Sequence, residues 1–140
     1  MINRELVETL LGTLTQYVGE LRAEQGVTFE AFQHDLRTRR YVEHTLQLAI
    51  QACLDIAAHI ISSQGWRQFT DYRDTFTVLA ENGLVDKGFL PTLHKMAQFR
   101  NLVVHQYTRV DPAQIYVILI RGVADLERFA SDIASWLAKQ

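Results

Sequence analysis

The octapeptide RNLVVHQY, residues 100 to 107, carries a permanent cation, an amide, an imidazole and a phenol within a short run of chain. Arg100 and His105 are separated by four residues, Asn101 follows the arginine, and Tyr107 lies two positions beyond the histidine. A guanidinium offers a fork of donors to phosphate or carboxylate oxygens, and imidazole titrates near neutrality and can move protons. Together they suit an anion site, and specifically phosphodiester chemistry. The competing reading is structural. Arginine cannot shed its charge, and burying it unpaired costs on the order of several kcal/mol. A salt bridge to Asp55 or Glu43 on another helix would satisfy it equally well.

On an ideal helix each residue turns by about 100°. With Leu93 as the reference direction, Met96, Ala97, Val103, Val104 and Tyr107 share one face, and Arg100 falls among them. His94, Gln98, Asn101 and His105 form a neighbouring polar face. Arg100 and His105 are about 140° apart, so one helix aims both at the same atom only through the reach of the arginine. Two copies packed around a two-fold axis would bring two arginines and two histidines into one groove, one histidine serving as base and the other as acid. From spacing alone, Tyr107 reads as a core aromatic.

Helical periodicity also dominates the rest of the chain. Asn3 is placed to cap a first helix in which Ile2, Leu6, Leu10, Leu14, Tyr17 and Leu21 recur every three or four residues, and Gly26 is placed to end it. A turn from Thr28 to about His34 leads into YVEHTLQLAIQACLDIAAHII, a largely buried helix stopped near Gly65. Glu43, Gln47, Gln51, Asp55 and His59 draw a polar stripe along it. Thr70 and Asp71 open a short helix ending at Asn82-Gly83, in which Tyr72, Phe76 and Leu79 are spaced as core. Asp86 or Leu90 opens the helix bearing the octapeptide. Asp111-Pro112 starts a last helix to about Lys139, about 40 Å long. The expected architecture is a single all-α domain over residues 1 to 140, a bundle of four main helices plus short ones.

A hydrophobic fraction of 48% and a charged fraction of 21% fit a packed globular interior. The lone Cys53 excludes an internal disulfide and a Cys-rich metal site. His94 and His105 are too far apart along one helix to share a metal, so no metal or cofactor is expected. His34, His44 and His59 read as surface or satisfied side chains, and Trp66 and Trp136 as core or dimer contacts. No secretory leader pattern and no uninterrupted apolar run of membrane-spanning length is visible, so a cytoplasmic protein without membrane contact is expected. A net charge of −2 gives no long-range pull toward nucleic acid, so any such contact must be local. Arginines outnumber lysines eleven to three, and Arg37, Arg39 and Arg40 cluster, either as a solvated helix start or as a site for planar contact with phosphate.

The octapeptide matches the R-N-x-x-x-H-x-Y form of the R-x4-6-H motif, and the chain resembles HEPN-domain toxins of the HepT type. The resemblance extends to LQLAIQACLDIAAHII, DYRDTFTVLAENGLV and KMAQFRNLVVHQY, in the order of that family's second, third and fourth helices, and covers most of residues 40 to 110. It implies a homodimeric, metal-independent endoribonuclease, the toxin of a toxin-antitoxin system. The implied partner is an MNT-type nucleotidyltransferase antitoxin, with a larger hetero-assembly possible. By the same resemblance Arg100 and His105 are catalytic, Asn101 holds the imidazole or the phosphate, and Tyr107 is the site at which the partner attaches AMP. His105 would act as acid or base on the ribose 2′-hydroxyl or the leaving oxygen, and Arg100 would stabilise the phosphorane. Asp55 and Glu43 would be orienting groups or merely solvated. The alternative is a non-catalytic HEPN module that binds nucleotides or assembles with the transferase without cutting RNA.

Overall fold

The computed structural model describes residues 2 to 106 and 110 to 140. The helices are α1 (Arg4–Ala23), α2 (Phe29–His34), α3 (Leu36–Gln64), α4 (Tyr72–Glu81), α5 (Leu90–Gln106), α6 (Pro112–Val117) and α7 (Val123–Ala138). A 3-10 turn (Lys87–Phe89) precedes α5, and a π-helical turn (Ile118–Gly122) joins α6 to α7. No strand occurs among the described residues.

Helix α3 is the axis of the bundle, packed by α1, α4, α5 and α7. Its buried residues, from Val42 through Leu46, Ile50, Leu54 and Ala57 to Ile61, cover rather more than half of its circumference, and the polar stripe takes the rest. An 18-residue window within it has a mean hydropathy of 1.3, and α3 is long and apolar enough to cross a bilayer. Here 61% of that window is buried against the other helices. The core is built on five fully buried phenylalanines, Phe32, Phe76, Phe89, Phe99 and Phe129. Phe76 of α4 meets Phe129 of α7 edge to face at 5.6 Å between ring centroids. Trp66 and Trp136 meet edge on at 6.4 Å, so the two tryptophans pack on each other within the chain. The two buried threonines, Thr45 and Thr75, each donate back to the carbonyl four residues earlier, at 2.7 and 3.1 Å.

Several boundaries follow from side-chain caps. Asn3, Thr28, Asp35, Asp71 and Asp111 accept from amides two or three residues on. Two helices stop in the same way. At α3 the Trp66 amide reaches the Ile61 carbonyl and the Gly65 amide that of Ser62; at α4 the Leu84 and Gly83 amides reach Leu79 and Ala80. Both are Schellman endings, with Gly65 at φ 67° and Gly83 at φ 75°. Beyond the first of them, Arg67 holds Asp74 through two 2.8 Å bonds and Glu81 at 2.7 Å. Those bonds keep the Asp74 carboxyl well below the usual carboxylate range and tie the connecting segment onto α4.

Two elements differ from expectation. The segment from Thr28 to His34 contains a helix rather than only a turn, because Thr28 caps it and Phe32 has a fully buried place in the core. The last helix follows one path from Pro112 to Ala138, but its hydrogen-bond register changes at the π-helical turn. A Cβ on Gly122 would lie 2.9 Å from the Ile118 side chain, so the turn depends on that glycine. Gln25 Nε2 donates to the Leu119 carbonyl within it at 2.9 Å.

Gly12 and Gly65 both have open space around a built Cβ, yet only Gly65 has positive φ. Gly65→Ala is therefore expected to cost about 1–2 kcal/mol, whereas Gly12→Ala, in the exposed interior of α1, should stabilise by about 0.5–1 kcal/mol. Urea unfolding midpoints of the two variants should move in opposite directions.

Candidate active site

Helix α5 turns Leu93, Met96, Ala97, Phe99 and Val103 into the core. Arg100 and Asn101 are half-buried at the edge of that face, and His105 is exposed. Val104, expected on the apolar face, is 37% exposed because the last turn of α5 runs past the edge of α3.

Among the described residues, no carboxylate lies within ion-pairing distance of Arg100. Its Nε donates to Gln51 Oε1 at 2.9 Å, and Gln51 Nε2 in turn donates to Asp55 Oδ1 at 2.8 Å. Asp55 therefore acts on Arg100 only through a neutral amide. Nη1 donates to Asn101 Oδ1 at 3.2 Å. The guanidinium lies over the Tyr72 ring, with Cζ 4.5 Å from its centroid, a cation–π arrangement. Two of the five N–H donors of Arg100 are thus engaged, and the other three have no protein acceptor among the described residues. A fixed cation with spare donors in a fork is suited to binding an oxyanion.

Tyr72, expected in the core with Phe76 and Leu79, is 39% exposed and is the residue that sequence reasoning missed. Phe76 and Leu79 are fully buried. Tyr72 is the first residue of α4, where the helix emerges from the bundle, so the apolar stripe reaches water at its end. The cap at Asp71 placed Tyr72 at the first position of a helix, but no signal in the sequence set it opposite Arg100.

Tyr72, Asn101 and His105 face one open concavity of about 470 Å³, walled also by Phe69 and Asp71. Asp71 Oδ1 accepts from the Asp74 amide at 2.7 Å, so the α4 cap is also part of the wall. The concavity thus gathers an imidazole, an amide and an aromatic ring, with the guanidinium bound to two of these groups. Tyr107 lies outside the described residues.

Glu43 does not reach Arg100. It lines a separate groove with Arg40, His44 and Gln47, where burial pushes its carboxyl pKa upward against the opposing effect of Arg39 and Arg40. His94 is held structurally, with Nε2 2.8 Å from Thr77 Oγ1 between α5 and α4. His59 Nε2 accepts from the Asn3 amide at 3.3 Å. Among the described residues, no three His, Cys, Asp or Glu side chains are grouped so as to hold a metal ion.

Burial, reinforced by Arg73, lowers the pKa of His94. The unfolded chain, with an ordinary value near about 6.5, takes up that proton first as pH falls. The stability tied to neutral His94 is therefore complete above about pH 6.5 and declines below it. Urea unfolding of the native chain and of His94→Gln should show a smaller loss for the variant between about pH 7.5 and 5.5.

The chain is similar to several known proteins. The mRNA nuclease HepT of Shewanella oneidensis is 33% identical over 98 residues, spanning 70% of this chain and 74% of that protein. The tRNA nuclease HepT of Aphanizomenon flos-aquae is 23% identical over 133 residues, spanning 94% and 90%. The fold superposes with a TM-score of 0.85 on a tri-AMPylated Shewanella oneidensis HEPN toxin solved in complex with an MNT antitoxin, at 27% identity and covering 96% of this chain and 99% of that one. The family model described as Ribonuclease HepT-like matches residues 14–133, and the chain belongs to that family.

Proposed function

We propose that this protein is a metal-independent endoribonuclease, the toxin of a toxin-antitoxin system, acting in the cytoplasm as a homodimer. The observation that carries the reading is Arg100. It is held by Gln51, Asn101 and the Tyr72 ring, keeps three guanidinium donors free of any acceptor among the described residues, and adjoins the concavity that His105 faces.

The reaction needs only the substrate's own nucleophile. One His105 takes the proton of the ribose 2′-hydroxyl, and the oxygen attacks the adjacent phosphorus. Arg100 stabilises the extra negative charge of the phosphorane, where preorganised donors have their largest effect. The P–O5′ bond breaks, and the leaving oxygen takes a proton from a second imidazole. The products are a 2′,3′-cyclic phosphate and a 5′-hydroxyl. A homodimer supplies the second imidazole as the His105 of the other copy, which meets the angular problem of one helix carrying both groups. Asn101, bound to Arg100, orients the guanidinium toward the phosphate.

The partner in this reading is an MNT-type nucleotidyltransferase that silences the toxin by attaching AMP to Tyr107. The solved relative joins an AMPylated HEPN toxin to an MNT antitoxin, which supports the assignment. The phosphodiester adds negative charge and a purine close in sequence to His105, opposing RNA entry.

With single-stranded RNA, His105→Ala should lower cleavage about 10²–10⁴-fold, and Arg100→Ala about 10²–10³-fold. Mass spectrometry should find cyclic phosphate ends, and cleavage should persist in EDTA. A folded native chain that cuts no RNA would leave the non-catalytic module as the better reading.

Incubation with the transferase and ATP should add the mass of AMP to Tyr107 and abolish cleavage, while Tyr107→Phe should neither gain mass nor lose activity. Modification confined to another residue would refute this assignment.

A further inference from the structure

The first turns of α3 carry Arg37, Arg39 and Arg40. Two concavities meet there. One, of about 330 Å³, lies between Arg40, Glu43, His44 and Gln47 of α3 and Val103 and Val104 of α5. The other, of about 560 Å³, runs from Arg39, Arg40 and Glu43 toward Pro112 and Ile115 of α6. Arg40 and Glu43 line both, so the two adjoin on α3 and are treated together as one groove, whose first part borders the last turn of α5.

The opposite charges of this groove act on one another without forming a close ion pair among the described residues. Among the described residues, no ion pair involves Arg37, Arg39 or Arg40. Glu43, three and four residues beyond the two groove arginines, comes within ion-pairing distance of neither. Arg39 Nε is buried and has no hydrogen-bond partner among the described residues. A solvated helix start would leave that nitrogen in water or bonded to the protein. Here it is neither, and with Nε closed to solvent the donors that Arg39 offers to the groove are its terminal nitrogens, beside those of Arg40.

We propose that this groove is a second anion subsite, in which Arg39 and Arg40 hold a backbone phosphate of the same RNA strand whose scissile phosphate sits at Arg100 and His105. The inference rests on the nuclease reading above. Val104 lines the groove, and the next residue, His105, lines the concavity with Tyr72, so a strand passing over the end of α5 meets both sites. The chain carries a net charge of −2, so a polyanion has to be held by local clusters of this kind rather than by the overall field. Guanidinium forks match phosphate oxygens, and backbone contacts of this type fix the register of a strand without reading its sequence.

The test measures binding of a fluorescein-labelled single-stranded RNA by anisotropy over a range of salt concentrations, with His105→Ala throughout to prevent cutting. Arg40 is exposed, so Arg40→Ala preserves the fold; it should weaken binding about tenfold and reduce the slope of log affinity against log salt by about 0.7, one single-strand phosphate contact. Arg39→Gln added to it should weaken binding further. Glu43→Gln, which removes the one carboxylate among the described residues lining the groove, should tighten binding. Arg121→Ala, in the π-helical turn, should leave affinity unchanged.

Equal affinity and equal salt slope in Arg40→Ala and Glu43→Gln would overturn the proposal. So would intact RNA binding with loss of the transferase complex, which would assign the groove to a protein surface. If the His105→Ala chain binds no RNA and the native chain cuts none, the nuclease reading itself fails, an outcome distinct from a groove that RNA ignores.

Discussion

A guanidinium that cannot be neutralised, set at the edge of a packed core, is the constraint around which the site is organised. Burial of Arg100 would demand a carboxylate, and full exposure would leave its direction undefined. The fold takes an intermediate course. A neutral amide from α3 fixes Nε, a neighbouring amide on α5 fixes Nη1, and an aromatic ring from α4 covers one face. Gln51 transmits the orientation of Asp55 without allowing the carboxylate to cancel the charge. The arginine is thus directed by three helices while its net attraction for an anion is preserved.

That arrangement accounts for features elsewhere. Gly65 must stop α3, and Arg67 must bind Asp74 and Glu81, for α4 to begin where Tyr72 faces Arg100. Phe76 must lock α4 to α7 for that beginning to stay in place. The His94–Thr77 bond holds α4 and α5 side by side a little farther along. The stability of the bundle and the aim of one side chain are therefore consequences of the same contacts.

Much of this was legible in the sequence because it is local. Asp71, Asp111 and Asn3 announce their helices, and Gly65 and Gly83 end theirs, through bonds spanning a few residues. The apolar stripe of α1 could be read by period. What escaped was decided across the bundle. Periodicity groups Tyr72 with Phe76 and Leu79, and only the position of α5 shows that the end of the stripe reaches water. Arg100 offered Asp55 or Glu43 as equal partners by spacing, whereas the structure inserts Gln51 before the first and puts the second in another groove. The register change at Gly122 depends on a close approach to Ile118 that helical spacing does not reveal.

The π-helical turn separates two tasks assigned to one stretch of chain. Before it, Tyr116 of α6 packs on Phe29 and Phe32 and donates to the Val27 carbonyl; after it, α7 packs along α1 and α3. An uninterrupted helix would fix the angular phase of one half by that of the other. The wider turn works as a phase adjuster, letting the segment that follows the octapeptide settle against α2 while α7 keeps its own fit to the core. The seating of α6 on α2 can therefore be set without dictating how α7 lies along α1 and α3.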